Sequence, residues 1–141
     1  MRAHFERLSE ALIEALPQAE LLNCSFEAEQ SDFVRFNQGR VRQAGHVVQA
    51  SLQLQLIHGQ RHASGALSLT GDPAQDRIRA LQIIDQLRAA LPCLPEDPHL
   101  LLPEQVCSSE QAQEAGLPES SAMAEAVLQQ CEGLDLVGLL T

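Results

Sequence analysis

The chain has 141 residues, of which 45% are hydrophobic and 20% are charged, so its composition is that of a folded globular protein and excludes wholesale disorder. Nineteen acidic residues against nine basic ones give a net charge of −10, which disfavours binding to phosphate backbones and to anionic membranes. This length suits one domain with a hydrophobic core, and we predict that residues 1–141 form a single domain.

The chain opens with a predicted amphipathic helix over residues 2–16. Phe5, Leu8 and Leu12 repeat at helical spacing, charged residues occupy the other side, and Pro17 follows the helix. The apolar side of this helix is therefore expected to cover another apolar surface.

Alternating apolar and polar residues predict strands after this helix, near 20–28, 31–38, 41–57 and 62–70. The alternation is clearest in the segment VVQASLQLQLI, whose inward positions are Val48, Ala50, Leu52, Leu54 and Leu56. Short connections between the strands imply an antiparallel meander. Gly65 in the last strand is the expected position of a bulge or of a close approach by another element.

A second helix is predicted over 73–91, with Asp72 as its N-cap, Pro73 at its first position and Gln75 completing a capping box. Five of the seven prolines lie in residues 92–118, which predicts a long irregular connection. A connection of this length is expected to wrap around a larger body.

A third helix over 118–132 is predicted to end near Gly133. The apolar segment 134–141 after it has the character of a strand, although a chain end is usually polar. We therefore expect the sequence to be the front part of a longer protein that continues after this strand.

Together these elements predict an α+β fold with a mainly antiparallel sheet of four to five strands and helices packed largely on one face. A slip of one residue in a strand would turn its apolar set toward solvent, so the burial of that set tests the register. The predicted core consists of Val34, Phe36, Leu52, Leu54, Leu56, Leu67, Leu69, Ile84 and Leu87.

Basic charge is concentrated in the segment from Phe33 to Gly71, which has four arginines and no Asp or Glu, so it carries +4 and the rest of the chain −14 to give −10. These arginines are the candidate interface or peptide-contact residues: Arg35, Arg40, Arg42 and Arg61. Three of them lie in SDFVRFNQGRVRQAG, residues 31–45, a predicted hairpin that turns at Asn37-Gln38-Gly39. Arginine beside phenylalanine is a feature of single-strand binding, but Phe33 and Phe36 are expected on opposite faces, and nucleic acid is not the partner we expect.

No catalytic or metal-binding residue is predicted. His58 and His62 flank a turn, but no Cys, Asp or Glu nearby in the sequence completes a zinc site. The cysteines lie far apart without a C-x-x-C pair and allow too many pairings with histidine to specify a nucleophile: Cys24, Cys93, Cys107 and Cys131. Because the sequence has no signal peptide and no apolar run of membrane-spanning length, we expect free thiols in a reducing cytoplasm.

The order of a leading helix, a strand, the segment SDFVRFNQGRVRQAGHVVQASLQLQLIHGQRHASGALSLTGD and a helix opening at Asp72-Pro73 resembles the N-terminal domain of the TldD/PmbA family. The similarity is strongest over residues 31–91, and it rests on Phe36-Asn37-x-Gly39-x-Val41 and on His58-Gly59-x-Arg61-x-x-Ser64. Members of this family, also labelled modulators of DNA gyrase, are regarded as metallopeptidase subunits.

This resemblance implies a parent protein that is a cytoplasmic peptidase-like subunit, pairs with a like or related subunit as a homodimer or heterodimer, and encloses a peptide substrate around a zinc site. The family's metal-binding H-E-x-x-x-H motif lies in the C-terminal half, and none of the five histidines here is followed by glutamate. We therefore expect a non-catalytic N-terminal scaffold in proteolysis or peptide maturation, with no cofactor of its own and with a missing C-terminal domain as its partner.

The alternative is a stand-alone binding module that uses the basic hairpin for an acidic protein or for single-stranded nucleic acid. In neither case is a membrane partner expected. Whether the parent is an active peptidase or the inactive member of a pair stays open, because that distinction lies outside these residues.

Overall fold

The structure is a computed structural model that describes residues 2–103, 105–113 and 116–141. Its elements in chain order are α1 (Arg2–Glu14), β1 (Glu20–Asn37), β2 (Arg40–His58), β3 (Arg61–Ser68), α2 (Pro73–Ala90), a 3-10 turn (Leu91–Cys93), α3 (Ser120–Gln130) and β4 (Gly138–Leu140). The strands form an antiparallel sheet in the order β3-β2-β1-β4. The predicted α+β fold class is therefore confirmed.

The chain divides into two compact units. Unit 1 contains residues 1–29 and 49–103, and unit 2 contains residues 30–48 and 104–141. The long strands β1 and β2 each contribute residues to both units. A compact unit need not fold by itself, so the single domain over 1–141 stays a prediction.

In unit 1, α1 and α2 bury one face of the sheet. Leu52, Leu54 and Leu56 of β2 are at most 1% exposed, because every second residue of a strand points to the same face. Leu12 of α1 and Ile84 of α2 belong to the same cluster. Full burial of such a side chain contributes roughly 1.5–3 kcal/mol, so this cluster is the main source of stability in unit 1.

In unit 2, a smaller cluster forms where α3 packs on β1. Val34 and Phe36 are 7% and 3% exposed and contact Ala124 of α3. Leu136 and Leu140 pack against them from the chain segment that leads into β4 and from β4 itself. Val34 and Phe36 complete the set of nine predicted core residues, and all nine are buried, which confirms the predicted side-chain alternation.

Two predictions about the strands were wrong. The strands expected over 20–28 and 31–38 are one continuous strand, β1. Its polar middle lies beside β2, because Gln49 Nε2 of β2 donates to Glu29 Oε2 at 2.9 Å. Val48 was expected to face inward and is 59% exposed, since the cluster of unit 1 starts at Ala50 and that of unit 2 includes no residue of β2.

The predicted strand 134–141 is also shorter than expected. After Gly133, whose φ is 81°, the Leu134 N–H donates to the Cys131 carbonyl and the Leu136 N–H donates to the Leu134 carbonyl. These turns occupy the first part of the segment, so only the last residues pair with β1 as β4.

Asp72 caps α2 as predicted, because its Oδ1 accepts hydrogen bonds from the N–H groups of Ala74 and Gln75 at 2.9 and 3.1 Å. The second hydrogen bond of the predicted capping box, from the Asp72 N–H to the Gln75 side chain, was a wrong prediction. The Asp72 N–H donates to Thr70 Oγ1 at 3.2 Å rather than to Gln75.

Asp76, in the first turn of α2, has a completely buried side chain. Its Oδ1 accepts from the N–H and the hydroxyl of Thr70, both at 2.9 Å, and its Oδ2 accepts from the Gly71 N–H and from His4 Nε2, both at 3.0 Å. Burial disfavours the charge, but these hydrogen bonds outweigh it and lower the pKa of Asp76. The carboxylate therefore ties α1 to the start of α2.

We predict that Asp76→Asn lowers the free energy of unfolding by about 2–4 kcal/mol at neutral pH, because the amide cannot accept all four hydrogen bonds. The lowered pKa means that the contribution of Asp76 is complete above the unfolded-state pKa of about 4 and is lost as the pH falls through the folded-state value. Urea unfolding of both proteins at neutral pH and below about pH 3 measures this, and the difference should shrink in acid.

The exposed Asp85, which pairs with Arg88 Nη1 at 2.6 Å, supplies the control. Asp85→Asn should cost less than about 1 kcal/mol, because an exposed ion pair contributes little. Equal losses for the two variants would contradict the role assigned to Asp76.

Gly65 confirms the predicted close approach, because a Cβ at this position would lie 2.9 Å from Ile83 Cγ2 of α2. We expect Gly65→Val to cost about 1–3 kcal/mol through overpacking. Ala66→Val, at the next and exposed position of β3, should leave thermal unfolding unchanged or slightly raised. If both variants unfolded at the same temperature, α2 would not constrain Gly65.

Candidate functional site

The basic hairpin is built on a tight turn between β1 and β2. Gln38 and Gly39 have φ of 53° and 66°, the pair of positive values that defines a two-residue type I′ turn. The Gly39 N–H also donates to the Leu136 carbonyl at 3.2 Å. The tip of the hairpin is therefore held both by its own turn and by the segment before β4.

One face of this hairpin is covered by α3. Val34, Val41 and Ala124 line one pocket of about 470 Å³ on that side. Val34 and Ala124 also belong to the hydrophobic cluster of unit 2. Residues that flank Val34 and Val41 along their strands therefore point to the opposite face, which α3 does not cover.

Three of the four predicted contact residues share this uncovered face. Arg35 follows Val34, whereas Arg40 and Arg42 flank Val41, and all three arginines are exposed. The two-residue turn joins position 37 to position 40, which brings Arg40 close to the end of β1 that carries Arg35. None of the three has a hydrogen bond or ion pair with any residue that the structure describes.

Two apolar side chains lie on the same face. Leu139 of β4 pairs directly with Arg35 and is 61% exposed. Phe33, two residues before Arg35, is half-buried and lies across Gly45, where a Cβ would be 2.5 Å from its ring, and it also lines the pocket beside α3. We call the surface formed by Phe33, Arg35, Arg40, Arg42 and Leu139 the arginine face.

Arg61, the fourth predicted contact residue, is not part of this surface. It belongs to unit 1, where its Nη2 lies 3.3 Å from Glu96 Oε1. Its Nε is buried and has no hydrogen-bond partner among the described residues. Arg61 therefore lies apart in the chain's other unit, and its role as a contact residue stays a prediction.

A polar group that the sequence did not reveal joins the hairpin to α3. Asp32 Oδ1 accepts from His46 Nδ1 at 2.6 Å, and its Oδ2 accepts from the Ser120 hydroxyl at 2.5 Å. The Ser120 hydrogen bond first, and then the His46 hydrogen bond, lower the pKa of Asp32. Because serine and histidine both bind the carboxylate and not each other, this is an anchor for α3 and not a nucleophile activated by a base.

No catalytic or metal site emerges from the other candidates. The described residues contain no group of three or more His, Cys, Asp or Glu side chains placed to hold a metal ion. His58 is exposed, and His62 Nε2 lies 3.5 Å from Asp97 Oδ2. Burial raises the pKa of the Cys24 thiol, which disfavours the nucleophilic thiolate.

The four cysteines are free. None of the helices in the described part of the chain has the length and apolar character needed to cross a membrane. Comparison with protein-family models, with curated proteins and with solved structures finds no match to this chain.

We predict that Gln38→Asn stabilises the hairpin by about 0.5–1 kcal/mol, because asparagine accepts a positive φ at this turn position more readily than glutamine. Thermal unfolding measures the change. Gln43→Asn, an exposed position inside β2, is the control and should be neutral or slightly destabilising, since asparagine is unfavourable in strands. A lower melting temperature for Gln38→Asn would contradict the turn assignment.

Proposed function

We propose that this chain is the non-catalytic N-terminal scaffold of a TldD/PmbA-like zinc metallopeptidase subunit, and that it helps to enclose a peptide substrate in proteolysis or peptide maturation. The parent protein is proposed to be cytoplasmic and to pair with a like or related subunit. Four free cysteines support a reducing compartment, because a reducing cytoplasm keeps thiols unpaired.

The observation that carries this proposal is where the two resemblance motifs lie. Phe36-Asn37-x-Gly39-x-Val41 spans the turn between β1 and β2, and His58-Gly59-x-Arg61-x-x-Ser64 spans the turn between β2 and β3. Gly39 and Gly59 have φ of 66° and 61°, values that favour glycine. Hairpin geometry thus explains the glycine in each motif, which supports a structural role for this part of the chain.

Zinc enters the proposal only through the family resemblance. The described residues of this chain offer no three-ligand group for it, so they do not fit a zinc site of the catalytic kind. We assign no step of peptide hydrolysis to this chain, and the metal would be held by the downstream part of the parent protein.

The proposal predicts that the purified chain hydrolyses no peptide with or without added zinc, because it supplies neither nucleophile nor metal ligands. The product of the complete reading frame should hydrolyse unstructured peptides, and a chelator should abolish that activity. Fluorescence-quenched peptides, assayed with both proteins, measure this.

Chelator-sensitive hydrolysis by the chain alone would contradict its non-catalytic role. If the complete protein lacks H-E-x-x-x-H but pairs with a zinc-binding subunit, the complete protein is the inactive partner subunit. A complete reading frame with no peptidase-like continuation and no such partner would overturn the proposal.

A further inference from the structure

Five arginines of this chain meet an oxygen acceptor of the chain itself, whereas Arg77, like the three arginines of the hairpin, meets none among the described residues. Arg88 binds Glu20 through Nε and Nη2 at 2.7 and 2.9 Å, Arg61 lies beside Glu96, and Arg79 Nη1 donates to the Ser68 carbonyl at 2.9 Å. Arg35, Arg40 and Arg42 meet none among the described residues, although the chain contains nineteen acidic residues.

This face concentrates positive charge. Arg35, Arg40 and Arg42 are all exposed and lie within a few residues of the turn between β1 and β2. Leu139 adds an apolar side chain that is 61% exposed beside Arg35. What distinguishes this face is that three cations without a partner among the described residues lie together beside an exposed leucine, a combination that a binding partner can use.

We propose that the arginine face is a docking surface for an acidic polypeptide segment that carries aliphatic side chains between its carboxylates. Arginine binds carboxylates through two parallel hydrogen bonds, and arginine with aromatic or apolar side chains is the composition typical of protein interfaces. The carboxylates meet Arg35, Arg40 and Arg42, and an aliphatic side chain packs on Leu139 and on the edge of Phe33. This proposal is independent of the metallopeptidase assignment.

The observations favour a polypeptide over a nucleic acid. Phe36 is 3% exposed and the half-buried ring of Phe33 lies across Gly45, so the face lacks the pair of open aromatic rings that successive bases stack on. The net charge of −14 on the chain outside residues 33–71 repels a long polyanion more strongly than a short acidic segment.

Fluorescence anisotropy with a labelled peptide of about twelve residues, in which glutamate alternates with leucine and glycine, tests the proposal. We expect saturable binding at low salt that weakens roughly tenfold between about 0.02 and 0.2 M salt. The same peptide with glutamine in place of glutamate should not bind. A labelled oligothymidine of similar length should bind at least tenfold more weakly than the glutamate peptide.

Variants locate the surface. The double variant Arg35→Gln/Arg42→Gln should weaken binding at least tenfold, and Leu139→Ser should weaken it several-fold at both salt concentrations. Arg77→Gln, which removes an exposed arginine of α2 in unit 1, is the matched control and should bind as the unchanged protein does.

Thermal unfolding separates binding from folding. Because Arg35 and Arg42 are exposed and have no partner among the described residues, the double variant should melt at the same temperature as the unchanged protein. No saturable binding of the glutamate peptide, or equal binding by the double variant and the Arg77→Gln control, would overturn the proposal. Tighter binding of oligothymidine would replace the polypeptide partner with single-stranded nucleic acid.

Discussion

The alternation of side chains along β1 and β2 is the constraint on which both hydrophobic clusters depend. In unit 1 it places Leu52 and Leu54 under the helices, and in unit 2 it places Val34 and Phe36 under α3. A shift of one residue in either strand would turn these side chains to the other face. Burial of both clusters therefore requires the observed faces of these strands.

Alternation is a local property, and this explains how much of the fold could be predicted from the sequence. The helices, the long strand β2 and all nine core residues follow from spacing within single segments. The errors arose where burial depends on a distant element. Val48 has the right parity for the core, but spacing along β2 does not reveal that neither cluster reaches it. The expected break after residue 28 rested on a loss of apolar residues, although backbone pairing continues through polar ones.

The polar contacts were beyond sequence reasoning for a related reason. Asp76 meets His4, which is 72 residues away, and Asp32 meets Ser120, which is 88 residues away, so no spacing rule connects either pair. Asp72-Pro73 was a usable signal for the start of the helix, but it pointed only to the cap and not to the buried carboxylate of Asp76. The basic residues were predictable as a group from the acid-free segment. Their division between Arg61, which meets Glu96, and the three arginines on the uncovered face required the structure.

The rigidity of the hairpin matters as much as its charge. A loop that carried three arginines would lose conformational entropy on binding, whereas strands held by a type I′ turn and by the hydrogen bond from Gly39 to Leu136 present them already ordered. The same hairpin carries all three cations within a few residues of its turn. A carboxylate placed over this face is therefore attracted by more than one cation. The tight turn that explains one of the family-like motifs therefore also explains why an acidic segment suits this face.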